Sequence, residues 1–254
     1  MKIIGQIERI ERPSVEEFQQ RYLAGNIPVI LGGVAEHWQA RSVLSPEKIK
    51  NLFGDVIAPV RESDNELELF FGPARRKMMR VGDYIDLICS QATFVERPPY
   101  LANISFDDPQ SHLYLRKIKS QLNFPNYFQN STGSAICLWV AAPGQKSTIH
   151  NDNYYNLNAQ IYGKKTYYLL APEQHHFLYT EKINDTCWAS RVDPQNPDYE
   201  KYPLFREAEA FEAALDAGDM LFIPIFWFHQ AFAKTVSIST NMFVNIGEVR
   251  FWDR

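Results

Sequence analysis

Strand-like runs crowd the second half of the chain and constrain its fold more than any other feature. From Ser134 onward AICLWVAA, NLNAQIYG, KTYYLLAP, DMLFIPIFWFHQAFA and VSISTNMFVN follow one another, separated by Gly, Pro, Asn and Asp. β-Branched and aromatic residues fit a pleated sheet, and turn residues at this density leave little room for long helices. The runs therefore imply an antiparallel barrel or jelly roll. Composition agrees: 17 Phe, 13 Tyr and 5 Trp make the chain 14% aromatic, and 15 Pro with 12 Gly supply turns. FEAALDAG (211–218) fits either a helix or a short strand before the Gly218-Asp219 turn.

The first half reads as a support for that barrel. Residues 1–13 alternate loosely through Ile3, Gln6, Ile7 and Ile10, predicting a short strand and a turn at Pro13. Ser14-Val15-Glu16-Glu17 has the form of a capping box, so a helix should run to about Ala24 and stop at Gly25. IPVIL (27–31) reads as a buried strand. Ser45-Pro46-Glu47 opens a second helix that Gly54 closes. VIAPV (56–60) and ELELFFG (66–72) read as strands of a meander, and helices are expected at about 81–90 and 110–121. No linker, composition break or repeat divides the 254 residues. One domain over 1–254 is expected, with 1–133 as support and 134–246 as the barrel core.

Charge and cysteine content narrow the partners. The net charge is −4 and no Lys/Arg block coats the chain, which weighs against nucleic acid. The one dense basic group, Arg75-Arg76-Lys77, reads as a solvated loop. Cys89, Cys137 and Cys187 are sparse and form no C-x-x-C, as suits a reducing compartment. The N-terminus has no apolar signal core and no apolar run approaches 18 residues, so no membrane partner and a cytoplasmic location are expected.

Six histidines are the first candidates for chemistry. Only His150 has an acidic residue two places on, Asp152. On a strand, residues i and i+2 share a face, so an imidazole and a carboxylate would converge inside a barrel. That is two-thirds of a two-histidine, one-carboxylate facial triad, which holds Fe(II) and leaves positions open. A third ligand must come from a neighbouring strand. His229, within the apolar MLFIPIFWFHQAFA, is the candidate; alone it would read as a packed core histidine. His175-His176 follows Ala171-Pro172-Glu173-Gln174 and reads as an exposed helical turn.

STIHNDNYYNLNAQIYGKKTYYLLAPEQ (147–174) resembles the core of the JmjC and cupin-like Fe(II)/2-oxoglutarate oxygenases. IPVILGGVAEHWQA (27–40), DPQNPDYEKYPLF (193–205) and GDMLFIPIFWFHQ (218–230) extend the likeness in order along the chain. The nearest subgroup is the one containing the asparaginyl hydroxylase that inhibits hypoxia-inducible factor and the tRNA-wybutosine hydroxylase. The resemblance implies a mainly β fold with flanking helices, the double-stranded β-helix (jelly roll) of cupin and JmjC type. It implies Fe(II), 2-oxoglutarate and O2 as cofactor and cosubstrates, and His150, Asp152 and His229 as iron ligands. Lys165 stands where the family's lysine meets the distal carboxylate of 2-oxoglutarate, with Lys164 as the alternative because the turn at Tyr162-Gly163 obscures which faces inward. Ser147 and Tyr100 stand where the hydroxylase has further donors to that carboxylate, and Asn156 and Asn241 match its pocket asparagines.

Departures limit what carries over. Asn158 replaces an aromatic residue, Trp139 an aliphatic one, and the target-binding Arg and Gln have no counterpart around Cys187-Trp188-Ala189. Asparagine selectivity therefore does not follow. The dimerising C-terminal helices have no counterpart before Arg254, so a monomer, or a dimer built otherwise, is expected. The expected substrate is a side chain of a protein or peptide, with the Asn-, Asp-, Pro-, Tyr- and Trp-rich 181–209 stretch as the lip of its groove. Rival readings are Nε-methyl-lysine demethylation, RNA-nucleoside hydroxylation, and a cupin-type binding protein without catalysis.

Overall fold

The computed structural model describes residues 1–63, 75–90, 98–107, 113–128, 131 and 133–245. Its strands run, in chain order, β1 (Lys2–Gln6), β2 (Arg9–Glu11), β3 (Val29–Gly32), β4 (Ile57–Glu62), β5 (Arg75–Arg80), β6 (Leu101–Ser105), β7 (Gly133–Ala141) and β8 (His150–Asp152). Then follow β9 (Tyr155–Tyr162), β10 (Lys165–Leu170), β11 (Thr180–Asn184), β12 (Cys187–Ser190), β13 (Glu209–Leu215), β14 (Met220–Ile223), β15 (Phe228–Ala233) and β16 (Ser237–Asn245). One large sheet has the order β1-β13-β10-β15-β8-β12-β11, and the other the order β2-β3-β14-β9-β16-β7-β6. From β7 to β10 and again from β13 to β16 successive strands alternate between the two sheets, which is the winding of a double-stranded β-helix; β11 and β12 are a hairpin added to the edge of the first sheet.

The helices start where local chemistry dictates. Ser45 Oγ accepts from Lys48 N at 3.3 Å and Pro46 occupies the first turn of the helix Pro46–Phe53. A helix spans Val81–Cys89, and the one expected over 110–121 is seen over Leu113–Lys119 among the described residues. Ser14 caps as expected, accepting from Glu17 N at 3.1 Å, but after one turn the helix widens to a π-helix over Phe18–Leu23. The left-handed residue that follows is Asn26 (φ 50°) rather than Gly25. The widened turn buries Phe18 and Tyr22. Phe18 stacks on Tyr127 at 4.0 Å and meets Phe222 edge-on at 4.9 Å. Each such ring contributes about 1.5–3 kcal/mol by leaving water, which fastens the N-terminal support to the outer face of the second sheet.

Several expectations are corrected. The N-terminal stretch forms two short strands, and β1 pairs with β13 and β2 with β3 in parallel, so both sheets are mixed. Of the two alternatives left open for FEAALDAG the strand is found: its residues 211–215 lie on β13, ahead of the turn at Gly218. Arg75, Arg76 and Lys77 lie on β5, paired antiparallel with β4, and are exposed there without being a loop. MLFIPIFWFHQAFA is two strands in different sheets, because Pro224 cannot donate to a ladder and Phe226 takes φ 66°. ELELFFG lies outside the described residues. Among the described residues no helix is long and apolar enough to cross a membrane.

Candidate metal centre

Alternation along five strands builds a cavity of about 270 Å³ between the sheets. Trp139 and Ala141 of β7, Asn156 and Asn158 of β9, Lys165 and Tyr167 of β10, His229, Ala231 and Ala233 of β15, and Asn241 and Phe243 of β16 all line it. Each set is spaced by two, as one face of a strand requires. On β9 the intervening Leu157, Ala159 and Ile161 enter the main apolar core. The alanines of β7 and β15 keep the cavity open.

His150 and His229 are direct partners across β8 and β15, with ring centroids 4.3 Å apart. Asp152 Oδ2 lies 4.0 Å from His150 Nε2 and 3.8 Å from His229 Nε2. One donor atom from each of the three falls within 4.8 Å of the others. His150 Nδ1 is 2.9 Å from Thr148 O, and His229 Nδ1 is 3.0 Å from Trp227 O. A carbonyl only accepts, so each Nδ1 carries the hydrogen and each Nε2 lone pair is left for a metal. Burial holds His229 neutral, bringing its pKa to about 3, with the neighbouring His150 adding to the effect. Burial also raises the Asp152 pKa, opposed by His150. Phe226 N donates to Asp152 O at 3.0 Å, so the turn between β14 and β15 fixes the strand that carries two of the donors.

The donor set passes a simple test of fit. Two imidazoles that present Nε2 and one carboxylate whose burial disfavours its charge converge on one point, and such a donor set suits a divalent ion such as Fe(II) with positions left open. Lys165 supplies the complementary gap. It is 4% exposed, and its Nζ donates to Ser239 Oγ at 2.7 Å, with no carboxylate bonded to it among the described residues. Burial alone lowers its pKa to about 7. A buried ammonium beside a metal-binding cavity is matched by an anionic ligand such as a dicarboxylate. Lys164 instead pairs with Asp216 at 2.8 Å on the surface, so the hairpin turns Lys165 inward.

The remaining predicted residues all line the cavity, in different states of engagement. Trp139 Nε1 donates to Asn241 Oδ1 at 2.6 Å, and Asn241 Nδ2 donates to Asn156 Oδ1 at 3.2 Å. This relay fixes both amides and leaves Asn156 Nδ2 for a ligand. Tyr100 is buried against Trp139, its phenol pKa raised by desolvation. Ser147 ties the backbone: its hydroxyl donates to Thr148 O at 3.0 Å and accepts from Ala231 N at 2.9 Å. Its one hydrogen is thus committed away from the cavity. The sequence reading missed Ser239, the hydroxyl against Lys165; its spacing of two from Asn241 on β16 was the available signal. His175 and His176 sit on the turn Pro172–Phe177, away from the cavity. From the 181–209 stretch, Asn184, Thr186 and Cys187 line the cavity, and Asp193 binds Lys146 Nζ, another lining residue, through both carboxylate oxygens at 2.9 Å.

Comparison with known proteins gives a consistent picture. The family profile described as a cupin-like domain matches residues 15–246. The human tRNA wybutosine-synthesizing protein 5 is 31% identical over 148 residues, covering 57% of this chain and 46% of its own. Lysine-specific demethylase 8 of Xenopus tropicalis is 28% identical over 242 residues, covering 92% of this chain and 52% of its own. Arginine-specific demethylase JMJ20 of Arabidopsis thaliana is 28% identical over 271 residues, covering 95% and 57%. The chain spans about half the length of these relatives.

Proposed function

This chain belongs to the cupin-like domain family, and from that premise we propose that it is an Fe(II)- and 2-oxoglutarate-dependent oxygenase that hydroxylates a side chain of a protein or peptide. The observation that carries the reading is the placement of a buried lysine, with no carboxylate bonded to it among the described residues, in the same cavity as a His-Asp-His donor set. A binding protein of the same fold has no need for both.

His150, Asp152 and His229 would hold the iron through two Nε2 atoms and one carboxylate oxygen. Lys165 would anchor the far carboxylate of 2-oxoglutarate, assisted by Asn156 and Tyr100, with Ser147 holding the strands that frame the pocket. Bound together, iron and 2-oxoglutarate would supply the oxidising chemistry: O2, 2-oxoglutarate and a substrate C–H become succinate, CO2 and C–OH. The protein keeps water out and aims the substrate. Trp139, Tyr167 and Phe243 provide apolar wall around the donors. The likeness to the asparaginyl-hydroxylase subgroup supports hydroxylation as the outcome. We also read residues 1–254 as one domain that acts in the cytoplasm.

A second reading, hydroxylation of an RNA nucleoside, is favoured by the wybutosine-synthesizing relative. Demethylation of a methylated lysine or arginine uses the same iron chemistry and ends in formaldehyde. Mass spectrometry separates them. Incubation with Fe(II), 2-oxoglutarate and peptides should add 16 Da to a peptide together with an equivalent of succinate. Loss of 14 Da with formaldehyde, or oxidation confined to RNA, would refute peptide hydroxylation.

A further inference from the structure

Asn158 stands where the resembled hydroxylase has an aromatic residue, and the proposed reaction leaves it without a role. It lies on β9, lines the metal cavity and is 6% exposed. Two other amides of that wall are held: Trp139 Nε1 binds Asn241 Oδ1, and Asn241 Nδ2 binds Asn156 Oδ1. Among the described residues no hydrogen bond holds the Asn158 side chain. Its Oδ1 is buried without a partner, and its Nδ2, equally unbonded, is the end left open to the cavity. Turning the amide over only exchanges the two ends, so one end is buried unpaired in either orientation. An unpaired buried amide is costly in the free protein. Its register places it close to Lys165. Asn158 pairs with Asn241 across β9 and β16, and the next pair on the same face is Gln160 with Ser239. Ser239 is the residue that receives the Lys165 ammonium. The Asn158 amide therefore stands one step, about 7 Å along the strand, from the pair that seats the ammonium.

We propose that Asn158 selects the cosubstrate, its Nδ2 donating to the far carboxylate of 2-oxoglutarate beside Lys165. This rests on the oxygenase reading above and adds to it a residue that discriminates between 2-oxo acids. A carboxylate offers about four acceptor sites on two oxygens. One ammonium leaves most of them unmet in a cavity closed to water, and that is costly. The amide N–H supplies a further charge-assisted bond at the far end of the ligand, where Lys165 and Ser239 already meet. A 2-oxo acid of the same length with no second carboxylate gains nothing from it. Asn158 therefore favours the dicarboxylate over the monocarboxylate. An apolar side chain of similar size removes this donor and, with it, the unpaired amide of the free protein. Affinity and stability should then move in opposite directions, whereas an asparagine that only packs the strand would leave the choice between the two acids unchanged.

The test uses the full chain with Fe(II) under anaerobic conditions, and reads binding from the visible absorption of the Fe(II)–2-oxo acid chelate. Two ligands are titrated: 2-oxoglutarate, and 2-oxovalerate, which carries a methyl group in place of the far carboxylate. Asn158→Leu should weaken 2-oxoglutarate about 10- to 100-fold, the worth of one hydrogen bond to a charged group, and 2-oxovalerate by less than about twofold. The ligand-free Leu variant should melt at or above the wild type, because it no longer buries an unpaired amide. Asn158→Asp keeps the shape of the side chain but sets a negative charge toward the ligand's, and should weaken 2-oxoglutarate at least as much. A Leu variant that binds 2-oxoglutarate within about threefold of the wild type, or that loses equal affinity for both acids, overturns the inference. If the Leu variant does not fold, unchanged 2-oxoglutarate affinity in the Asp variant overturns it instead. Absence of the chelate band in the wild type with 2-oxoglutarate overturns the oxygenase reading, and the two failures are read separately.

Discussion

Replacing Lys165 by Met removes one charge and nearly preserves the length of the side chain. The ammonium is buried against a single hydroxyl, that of Ser239, and burial brings its pKa from 10.5 to about 7. The unfolded chain holds this proton more tightly than the folded one. The penalty on folding is therefore full below about pH 7, shrinks as pH rises toward 10.5, and is absent above that. At neutral pH it amounts to roughly 4 kcal/mol, and neutral replacement of buried charges returns about 1–4 kcal/mol. Ligand-free Lys165→Met should thus melt about 2–16 °C above the wild type at pH 7, since 1 kcal/mol is about 2–4 °C for a chain of this size. The gain should vanish near pH 10.5. 2-Oxoglutarate reverses the ranking. Its far carboxylate completes the pair in the wild type, and loss of one partner from a buried pair costs about 3–5 kcal/mol. The variant should bind 2-oxoglutarate about a hundred- to several-thousand-fold more weakly. Thermal melts with and without 2-oxoglutarate and Mn(II), together with calorimetric titration, measure both effects. A variant that melts below the wild type and binds 2-oxoglutarate within about threefold of it would show that Lys165 is only structural.

Metal-free protein should lose stability as pH falls from about 6.5 toward 3, because the unfolded chain protonates His229 while the folded chain keeps it neutral. Asp152, its pKa raised by burial, works in the opposite direction, so denaturation curves of the wild type against His229→Gln isolate the histidine; identical acid slopes would contradict a buried neutral ring. Gly163→Ala should cost about 2 kcal/mol or more, since φ is 73° and a Cβ there collides with Val236 O. The same change shifts the start of β10, so affinity for 2-oxoglutarate should fall as well; a variant neutral in both assays would refute this hairpin geometry. Asp219→Ala should destabilise by about 2–4 kcal/mol in urea titrations, because the buried carboxylate takes two bonds from Arg9, at 2.7 and 2.8 Å, and one from Asp216 N at 2.9 Å. A loss under about 0.5 kcal/mol would mean that this tie between β2 and the turn before β14 is worth no more than a surface pair.

The site was legible wherever its signal was local. A His-x-Asp on a strand has one geometric meaning, and an isolated histidine in an apolar strand near it completes the set; the structure brings His150, Asp152 and His229 together. What sequence left open depended on which way a hairpin residue turns. Lys164 and Lys165 are chemically identical neighbours, and only the left-handed turn at Gly163 with the pairing of β10 to β13 and β15 sends one inward. Pocket roles that depend on a competing backbone acceptor were also out of reach: Ser147 and Ser239 look alike in sequence, yet one hydroxyl ties strands and the other meets the lysine. Long-range pairings were the least legible part of the fold. Nothing in residues 1–13 announces a parallel partner some two hundred residues away, and an apolar run with one proline hides the passage of the chain from one sheet to the other.

The central claim is that one cavity holds both the metal and the dicarboxylate. Anaerobic addition of Fe(II) and 2-oxoglutarate to the purified chain tests it directly, read as the weak visible charge-transfer band of the chelate and followed, on admission of O2, by succinate. The wild type should show the band and release succinate, His150→Ala should show neither, and Lys165→Met should need far more 2-oxoglutarate to reach the same band. A wild type with no band, and no succinate above the His150→Ala background, would contradict the account.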